Sequence, residues 1–231
     1  MAHELTAICT SRGRPKNARR LTLAFKELCT ADTRLVFIVD ADDPTLGMYY
    51  TLLNGIGSVV AVEPGRRGMV AATNEGYDMV EHSLGYALMW LGDDHLPEGS
   101  PGFDTRYLEE LHKLGTGFVY GDDGFQHEAM PTQVAMTSDI PKALGYLSPP
   151  ELDHLNVDIV WRDWGQAIDR LKYLPDVIVR HHHPLAGFKN NDAGYAAVNS
   201  TAMAAHDNDA YFAYRDNGRL AADIEKLRQL L

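Results

Sequence analysis

Two adjacent carboxylates stand directly behind an apolar run of the sequence. Asp93 and Asp94 follow Ala87–Leu91 after a single glycine, and His95 comes next. A short continuous apolar run with a polar break behind it predicts a strand that is buried on both faces. Open α/β sheets bind their ligands at the carboxyl ends of such strands. Carboxylates at that place are hard oxygen ligands for a divalent cation.

Three further apolar runs end in polar groups of the same kind. One acidic pair behind a strand is more readily explained as a helix cap or a turn. The prediction of a ligand site therefore depends on finding such polar groups behind all four apolar runs. A parallel sheet would gather these groups along one edge, with arginines for phosphates and acids for a ribose, a base or a cation. A nucleoside diphosphate with Mg²⁺ or Mn²⁺ needs this combination. The runs are Leu5–Cys9, Leu35–Val39 and Ser58–Val62, and the polar groups behind them are Thr10–Arg14, Asp40–Asp43 and Arg66–Gly68.

Helical spacing between the apolar runs defines the fold class. Ala18, Leu21, Phe25 and Leu28 recur at helical spacing behind the first run, and a second helix is predicted from Met69 to Glu81. Strands that alternate with helices predict an α/β fold with a mostly parallel central sheet and right-handed crossovers. Later strands are predicted at Val134–Thr137, on an edge of the sheet, and at Val177–His183, with an outer amphipathic helix over Leu220–Leu231.

Composition limits the possible partners. The chain has 231 residues, of which 45% are hydrophobic, and its formal net charge is -11. The acidic balance argues against a broad electrostatic grip on nucleic acid or an anionic membrane, and it weighs against duplex DNA as a partner. No stretch approaches the roughly 18 consecutive apolar residues of a membrane span, and the first residues do not resemble a signal peptide, so a cytoplasmic location is expected. The Walker and G-x-G-x-x-G phosphate-binding signatures are absent, which argues against P-loop enzymes and dinucleotide oxidoreductases.

The order of the motifs carries a resemblance to a known family. The motifs are the SRGRP loop (Ser11–Pro15), VDADD (Val39–Asp43), the G-x-x-x-A-x-N-x-G helix (Gly68–Gly76), LGDDHLPEG (Leu91–Gly99), D-x-x-W-x-x-W-G (Asp158–Gly165) and YLPDVIVRHHHP (Tyr173–Pro184). This order resembles GT-A fold glycosyltransferases, and it is most similar to phage-encoded and bacterial members of the large inverting family 2. The resemblance covers Leu5 to Tyr195. It implies one GT-A-like domain over residues 1–231, with a nucleotide-sugar half (1–98), an acceptor half (99–195) and a helical tail (196–231).

The resemblance assigns a metal site. The family's D-x-D motif falls on Gly92, Asp93 and Asp94, so its first acid is a glycine in this chain. Asp94 is then the implied ligand of Mn²⁺ or Mg²⁺, and Asp93 is implied to touch the ribose or the sugar. A late histidine completes the metal shell in the family. His181 is preferred here, with His183 as the alternative on the same strand face, and a solvent-facing histidine cluster remains the plain explanation.

The resemblance also implies contacts with a nucleotide-diphosphate sugar. Thr10, Arg12 and Arg14 match the first nucleotide loop, and Asp40 matches the acid that reads the nucleobase or the ribose. The remaining implied donor contacts are made by Arg66 or Arg67 at the diphosphate, by Asn74 in the family helix, and by Lys189 in a loop that closes over the diphosphate. UDP is preferred as the nucleotide because it is the commonest in the family.

A catalytic base is implied at the start of a later helix. An inverting transfer needs a carboxylate that takes the proton of the acceptor hydroxyl. The family's acidic pair is absent from LNVDIVW, which leaves Asp158 as the first candidate, Asp153 as the second and the stereochemical outcome open. The acceptor is also left open between a carbohydrate, a protein side chain and a modified base.

Three functions follow in order of preference. The first is a metal-dependent glycosyltransferase of the hexosyltransferase type, acting with inversion. The second is a sugar-phosphate nucleotidyltransferase, but such enzymes usually carry a glycine-rich loop behind the first strand, and TSRGRPKN has a single glycine. The third is a non-catalytic nucleotide-sugar-binding protein, which predicts weak nucleotide binding and no turnover.

Overall fold

A computed structural model describes residues 2–63, 68–188 and 193–231. In these residues one sheet is flanked by helices on both faces. Its strands are β1 (His3–Thr10), β2 (Thr33–Asp40), β3 (Ser58–Val62), β4 (Leu84–Trp90), β5 (His95–Pro97), β6 (Phe118–Asp122), β7 (Val134–Thr137) and β8 (Leu171–His181). The helices are α1 (Pro15–Leu28), α2 (Leu46–Leu53), α3 (Gly68–Val80), α4 (Phe103–Leu114), α5 (Asp139–Leu144), α6 (Val157–Ala167), α7 (Ala193–Val198), α8 (Thr201–Asp216) and α9 (Arg219–Arg228). Short 3₁₀ turns lie at Glu81–Ser83, His127–Ala129 and Pro184–Ala186.

The sheet has the strand order β3-β2-β1-β4-β7-β6-β8-β5. Strands β3, β2, β1 and β4 are parallel to one another, and β6 is parallel to β8. The predicted α/β class with a mostly parallel sheet is therefore confirmed. The predicted edge position of Val134–Thr137 is wrong, because β7 lies between β4 and β6 and is antiparallel to both. All four of its residues are buried, as a strand with neighbours on both sides requires.

The apolar runs are buried because helices cover both faces of the sheet. Side chains alternate along β1, so that Ala7 and Cys9 pack in one core cluster while Ile8 packs in the other. The first cluster includes residues of α1, α2 and α4, and the second includes residues of α3, α5, α6, α8 and α9. The carboxyl ends of β1, β2 and β4 consequently meet at one edge, where the polar groups behind them come together.

Local sequence fixes the helix that follows the first loop. Pro15 occupies the first turn of α1, where its missing N–H costs nothing and its fixed φ suits a helix. Ala18, Leu21 and Phe25 form the buried face, which faces the core cluster around β1. The amino end of α1 therefore lies beside the carboxyl end of β1.

The start of α3 requires a glycine. Gly68 has φ +70, and a Cβ atom there would lie 2.0 Å from the carbonyl oxygen of Asp153. The N–H of Val70 donates to that same carbonyl at 3.0 Å. The helix that carries the predicted family motif is thus joined to the segment before α6.

The last two helices belong to the main core. Tyr214 of α8 and Leu227 of α9 are buried among residues of α5 and α6. Buried acids add polar contacts, since Asp223 accepts hydrogen bonds from the hydroxyls of Tyr146 and Tyr214. The segment predicted as a helical tail is therefore packed against the acceptor half. Within the described ranges, none of the helices has the length and apolar character needed to cross a membrane.

Candidate active site

Three side chains form a cluster of metal-ligating groups at the carboxyl edge of the sheet. Asp94 lies in the turn between β4 and β5, His95 begins β5, and His181 ends β8. Antiparallel pairing of β5 with β8 sets His95 opposite His181, and their rings stack at a centroid distance of 4.1 Å. Asp94 Oδ1 lies 3.4 Å from His95 Nδ1, and Asp94 Oδ2 lies 3.7 Å from His181 Nε2. One donor atom from each residue lies within 4.8 Å of the other two.

The donor atoms of this cluster fit a divalent cation. In the described part of the chain, His95 Nε2 and His181 Nδ1 are buried without a hydrogen-bond partner. Burial alone would raise the pKa of Asp94, but His181 and His95 hold it well below its ordinary value. Burial and the neighbouring His95 lower the pKa of His181. An ionised carboxylate and a neutral imidazole are the states that bind metals, and the nitrogen donors favour Mn²⁺ over Mg²⁺.

Asp93 joins the end of β4 to the first loop. It accepts hydrogen bonds from Ser11 Oγ, from Arg14 Nη1 at 3.3 Å and from Asn17 Nδ2 at 3.5 Å. The Ser11 hydroxyl is also bonded to the hydroxyl of Tyr49 at 2.7 Å. Burial and the charge of Asp94 raise the pKa of Asp93 to about 6. The predicted contact of Asp93 with a ribose or sugar stays a prediction.

Arg14 is the predicted nucleotide-loop residue that lies closest to the metal-ligating cluster. Its Nη1 atom is 3.9 Å from Asp94 Oδ2, and its backbone N–H donates to the Tyr49 hydroxyl at 2.9 Å. The side chain is only 20% exposed, so its charge acts in a partly desolvated setting. Arg14 is therefore positioned to meet negative charge bound beside Asp94.

The other predicted nucleotide-loop residues lie farther out on the same edge. Arg12 Nη1 donates to Asp40 Oδ2 at 2.7 Å and to Asp42 Oδ1 at 2.5 Å. Thr10 ends β1 and Asp40 ends β2, so these residues meet at neighbouring strand ends as predicted. The N–H of Gly13 donates to Asp43 Oδ2 at 2.7 Å, which joins the two loops a second time. The charge of Arg12 is therefore balanced by two acids of the second loop, whereas the charge of Arg14 lies beside Asp94 of the metal-ligating cluster.

Asn74 holds a loop of the acceptor half. Its Oδ1 atom accepts the N–H groups of Leu147 and Ser148, both at 3.0 Å. Its Nδ2 atom donates to the carbonyl of Ser148 at 2.8 Å. The amide that was predicted to contact the nucleotide is therefore engaged with backbone, and Asn74 acts in this structure as a positioning residue.

His183 lies beside the metal-ligating cluster, with its ring centroid 4.9 Å from that of His181, but it is not one of the three clustered residues. Strand β8 ends at His181, so the alternation that predicted a shared face does not reach His183. Its Nδ1 atom accepts the N–H of Leu185 at 3.2 Å, and its Nε2 atom is bonded to the Tyr195 hydroxyl at 2.7 Å. Its ring stacks on Phe125 at 5.1 Å. Both nitrogens are engaged, so the structure favours His181.

The two candidate bases differ in their surroundings. Asp158 lies in the first turn of α6, and its Oδ1 atom accepts the N–H of Ile159 at 2.9 Å. Burial raises the pKa of Asp158, although the N–H of Ile159 and the positive charge of Arg162 act against that rise. Asp153 instead directs its carboxylate to His206 of α8 at 3.8 Å. Asp158 therefore remains the better candidate.

No sequence pattern pointed to His154. The N–H of His154 donates to Asp207 Oδ2 of α8 at 2.9 Å. Burial lowers the pKa of its imidazole, and the charges of Asp207, Asp94 and Arg14 also act on it. The ring therefore lies within electrostatic range of Asp94 and Arg14. No short motif surrounds His154. Its position depends on the contact between α8 and the loop before α6, which joins distant parts of the chain.

Two predicted donor contacts lie outside the described residues. These are Arg66, with its alternative Arg67, and Lys189. Four residues that sequence reasoning did not select join the edge instead, and they are Ser11, Asn17, Tyr49 and His95. His95 had a visible signal, since it follows the acidic pair directly. The other three are recognised only through their bonds to Asp93 or to one another.

Comparison with known proteins identifies the fold. No protein-family model matches the sequence, and no curated protein matches it. Solved structures do match. A mannosyltransferase from Pyrobaculum calidifontis, in complex with GDP-Man and Mn²⁺, aligns with a TM-score of 0.68 at 14% identity over 100% of this chain and 70% of that chain.

Two further solved structures are similar. Glucosyl-3-phosphoglycerate synthase from Mycobacterium tuberculosis, in complex with Mn²⁺, UDP and glucosyl-3-phosphoglycerate, aligns with a TM-score of 0.61 at 12% identity over 90% of this chain and 80% of that chain. TarS from S. aureus aligns with a TM-score of 0.60 at 10% identity over 93% of this chain and 43% of that chain. At these identities the likeness establishes the fold, and the chain has the GT-A fold seen in these glycosyltransferases.

Proposed function

We propose that the protein is a metal-dependent glycosyltransferase of the hexosyltransferase type, which moves a sugar from a nucleotide-diphosphate sugar to an acceptor hydroxyl. The observation that carries the proposal is the cluster of Asp94, His95 and His181 at the carboxyl edge of a GT-A sheet. Arg14 lies beside the cluster, and the paired loops behind β1 and β2 continue the same edge. The similar structures support a divalent cation and a nucleotide-sugar donor, because they contain Mn²⁺ with GDP-Man or with UDP.

Each group at the edge has a proposed role toward the donor. Asp94, His95 and His181 would hold Mn²⁺, or Mg²⁺ in its place, and the bound cation would neutralise charge on the diphosphate. Arg14 adds a second positive charge at the same end of the donor. The loops with Arg12 and Asp40 would bind the nucleoside. UDP and GDP are the two candidate nucleotides, since both occur in the similar structures. We keep UDP as the preferred one because it is the commonest in the family that the sequence resembles.

Asp158 is the proposed base. The acceptor oxygen forms a bond to the anomeric carbon while the bond from that carbon to the diphosphate oxygen breaks. The electron pair of the breaking bond leaves with the nucleoside diphosphate, and the hydroxyl proton passes to the Asp158 carboxylate. Attack opposite the leaving group inverts the anomeric centre. A carboxyl group whose pKa is raised by burial holds such a proton better than an ordinary aspartate does.

Thermal-shift measurements with Asp94→Ala test the donor site. We expect one nucleotide among UDP, GDP, CDP and dTDP sugars to stabilise the wild-type protein with Mn²⁺ and to lose its effect in EDTA. Asp94→Ala should remove the stabilisation by the nucleotide, measured as the shift from the melting temperature of the same variant without ligand. Glu98→Gln is the matched control, because this acid bonds to Arg180 and His182 near the end of β8, outside the cluster.

Two outcomes would contradict the proposal. Mn²⁺-dependent nucleotide binding that persists in Asp94→Ala would refute the metal assignment. A wild-type protein that no nucleotide sugar stabilises, and that hydrolyses none of them, would favour a non-catalytic protein with a GT-A fold.

A further inference from the structure

A separate cavity lies at the far end of α6 from Asp158. Its volume is about 240 Å³, and it lies between the end of α6, strands β6 and β8, and the 3₁₀ turn at 127–129. The lining side chains that matter here are Tyr120, Tyr173, Glu128, Gln166 and Asp169. This volume is below the roughly 300–1,000 Å³ of pockets for drug-sized ligands, so it suits one small ring rather than a whole nucleotide sugar.

One wall of the cavity is a fixed pair of tyrosines. Tyr120 and Tyr173 are register partners on the parallel strands β6 and β8, and their ring centroids are 5.2 Å apart. Tyr120 donates its hydroxyl hydrogen to the carbonyl of Glu128 at 2.7 Å, and Tyr173 donates to Asp122 Oδ2 at 3.1 Å. Tyr173 is only half-buried, which leaves part of its ring for a ligand. The wall is therefore formed before any ligand arrives.

The cavity lining also includes polar side chains that the protein does not use. Across the described ranges, the side chains of Glu128, Gln166 and Asp169 make no hydrogen bond and no ion pair, and all three are exposed. Asp169 also has φ +54, a left-handed conformation that is uncommon for a residue other than glycine. Two carboxylates and one amide can accept several hydrogen bonds from one ligand.

The chemistry of the lining selects a neutral polyhydroxyl ligand. None of the described lining residues is a lysine, arginine or histidine, so the two carboxylates would repel a phosphate or another anion. Hydroxyl groups of a sugar donate hydrogen bonds that carboxylates accept. The C–H face of a sugar ring packs on an aromatic ring. A pyranose unit satisfies all of these groups at once.

One face of α6 connects the cavity to the proposed base. Asp158, Arg162 and Gln166 are spaced four residues apart and therefore lie on the same side of the helix. With a rise of about 1.5 Å per residue, Asp158 and Gln166 are roughly 12 Å apart along the helix axis. The charge of Arg162 acts on both Asp158 and Tyr120, which places it between the two ends.

We infer that this cavity is a subsite for a distal sugar unit of a neutral oligosaccharide acceptor, whose reacting hydroxyl lies at Asp158. The inference rests on the proposed function for the position of the reacting end, and it narrows the acceptor from three classes to one. An acceptor that reaches from the cavity to Asp158 contains more than one sugar unit, because the cavity holds one ring and Asp158 is roughly 12 Å farther along the axis of α6.

The double variant Gln166→Ala with Asp169→Gly tests the subsite. Both residues are exposed, and glycine suits the left-handed backbone at 169, so the fold should be retained. The probes are neutral mono- to tetrasaccharides of glucose, mannose, galactose and N-acetylglucosamine, measured by saturation-transfer NMR and calorimetry. We expect a tri- or tetrasaccharide to bind the wild type and to bind the double variant about tenfold more weakly, as the loss of two hydrogen bonds predicts. Asp209→Ala, on the exposed side of α8, is the control and should bind as the wild type does.

The outcomes separate this inference from the proposed function. Equal binding by the wild type and the double variant, or no binding of any saccharide, would overturn the subsite. The Mn²⁺-dependent thermal shift with nucleotide sugars, measured on the same samples, should be unchanged in the double variant. Absence of that shift in the wild type would refute the proposed donor site. Weaker saccharide binding by the double variant than by the wild type would still support the subsite in that case.

Discussion

Replacing Asp207 with alanine should destabilise the fold and loosen the segment that leads to the proposed base. Asp207 is fully buried in α8 and accepts the backbone N–H groups of Asp153 and His154 at 2.9 Å and of Leu155 at 2.5 Å. A buried N–H group that loses its partner costs about 1–3 kcal/mol. The three bonds are part-buried, so the low end of that range applies, and together they predict a loss of about 3 kcal/mol in the free energy of unfolding, a large part of the roughly 5–15 kcal/mol of a typical domain.

Asp104 provides a matched control for Asp207. It is also fully buried, and it accepts the N–H groups of Thr30 and Ala31 at 3.0 Å and the hydroxyl of Thr33 at 2.7 Å. These contacts lie at the amino end of β2, the opposite end from the candidate site. Asp104→Ala should therefore lose a similar free energy of unfolding without changing the acceptor side.

Urea unfolding and hydrogen exchange distinguish the two variants. Both should unfold at lower urea concentration, but only Asp207→Ala should lose amide protection over residues 153–158. It should also lower the turnover number for transfer while leaving the Mn²⁺-dependent nucleotide shift in place. A loss below about 0.5 kcal/mol, which is the ordinary range of surface substitutions, or unchanged protection at 153–158 would refute the reasoning.

The contribution of Asp207 should also depend on pH. Burial would raise the pKa of Asp207, but the N–H groups of Asp153 and Leu155 and the side chain of His206 lower it overall. A carboxylate with a lowered pKa in the folded state stabilises the protein above its unfolded pKa of about 3.9 and loses that effect as the pH falls through the folded pKa. The difference in stability between the wild type and Asp207→Ala should therefore be full at neutral pH and shrink below about pH 4.

Three further predictions follow from single residues. Asp158→Asn should abolish transfer yet keep or raise stability to urea at neutral pH, because the raised pKa of Asp158 means that its ionised form is unfavourable in the fold; lower stability would contradict this. Gly68→Ala should lose far more unfolding free energy than Gly55→Ala, since both have positive φ but only the first would meet a backbone oxygen, at 2.0 Å; equal losses by calorimetry would count against it. His183→Gln should retain Mn²⁺-dependent nucleotide binding and His181→Gln should lose it in thermal shift, and the reverse order would move the metal site.

The donor half of the fold could be predicted from sequence because its information is local. Each strand of β1, β2 and β4 is a continuous apolar run with its polar groups directly behind it, so their order predicted that Asp94, Arg14 and Asp40 lie along one edge, while their roles came from the resemblance. His95 was overlooked as a ligand because its place depends on the pairing of β5 with β8. The central position of β7 was missed for the same reason, since spacing within a strand does not encode its neighbours.

Side-chain partners account for most of the remaining differences. Asn74 matches a family motif, but its amide is bonded to the backbone at residues 147 and 148, a contact that joins distant parts of the chain. The alternation of β8 predicts that His183 shares a strand face with His181, but the strand ends at His181. A periodic pattern predicts a face only as far as the element continues, and sequence alone did not give that end point.

The acceptor side is held in place by buried polar contacts from three helices. The segment from residue 146 to Asp158 is bonded to Asn74 of α3, to Asp207 of α8 and, through Tyr146, to Asp223 of α9. A loop fixed from several sides loses little further entropy when a ligand binds, because its ordering cost is met during folding. The proposed base, Asp158, lies at its end and would then be in position before an acceptor arrives. Under the proposed function, discrimination between acceptors would fall to side chains beyond this segment, such as those on the exposed face of α6, rather than to closure of the segment itself.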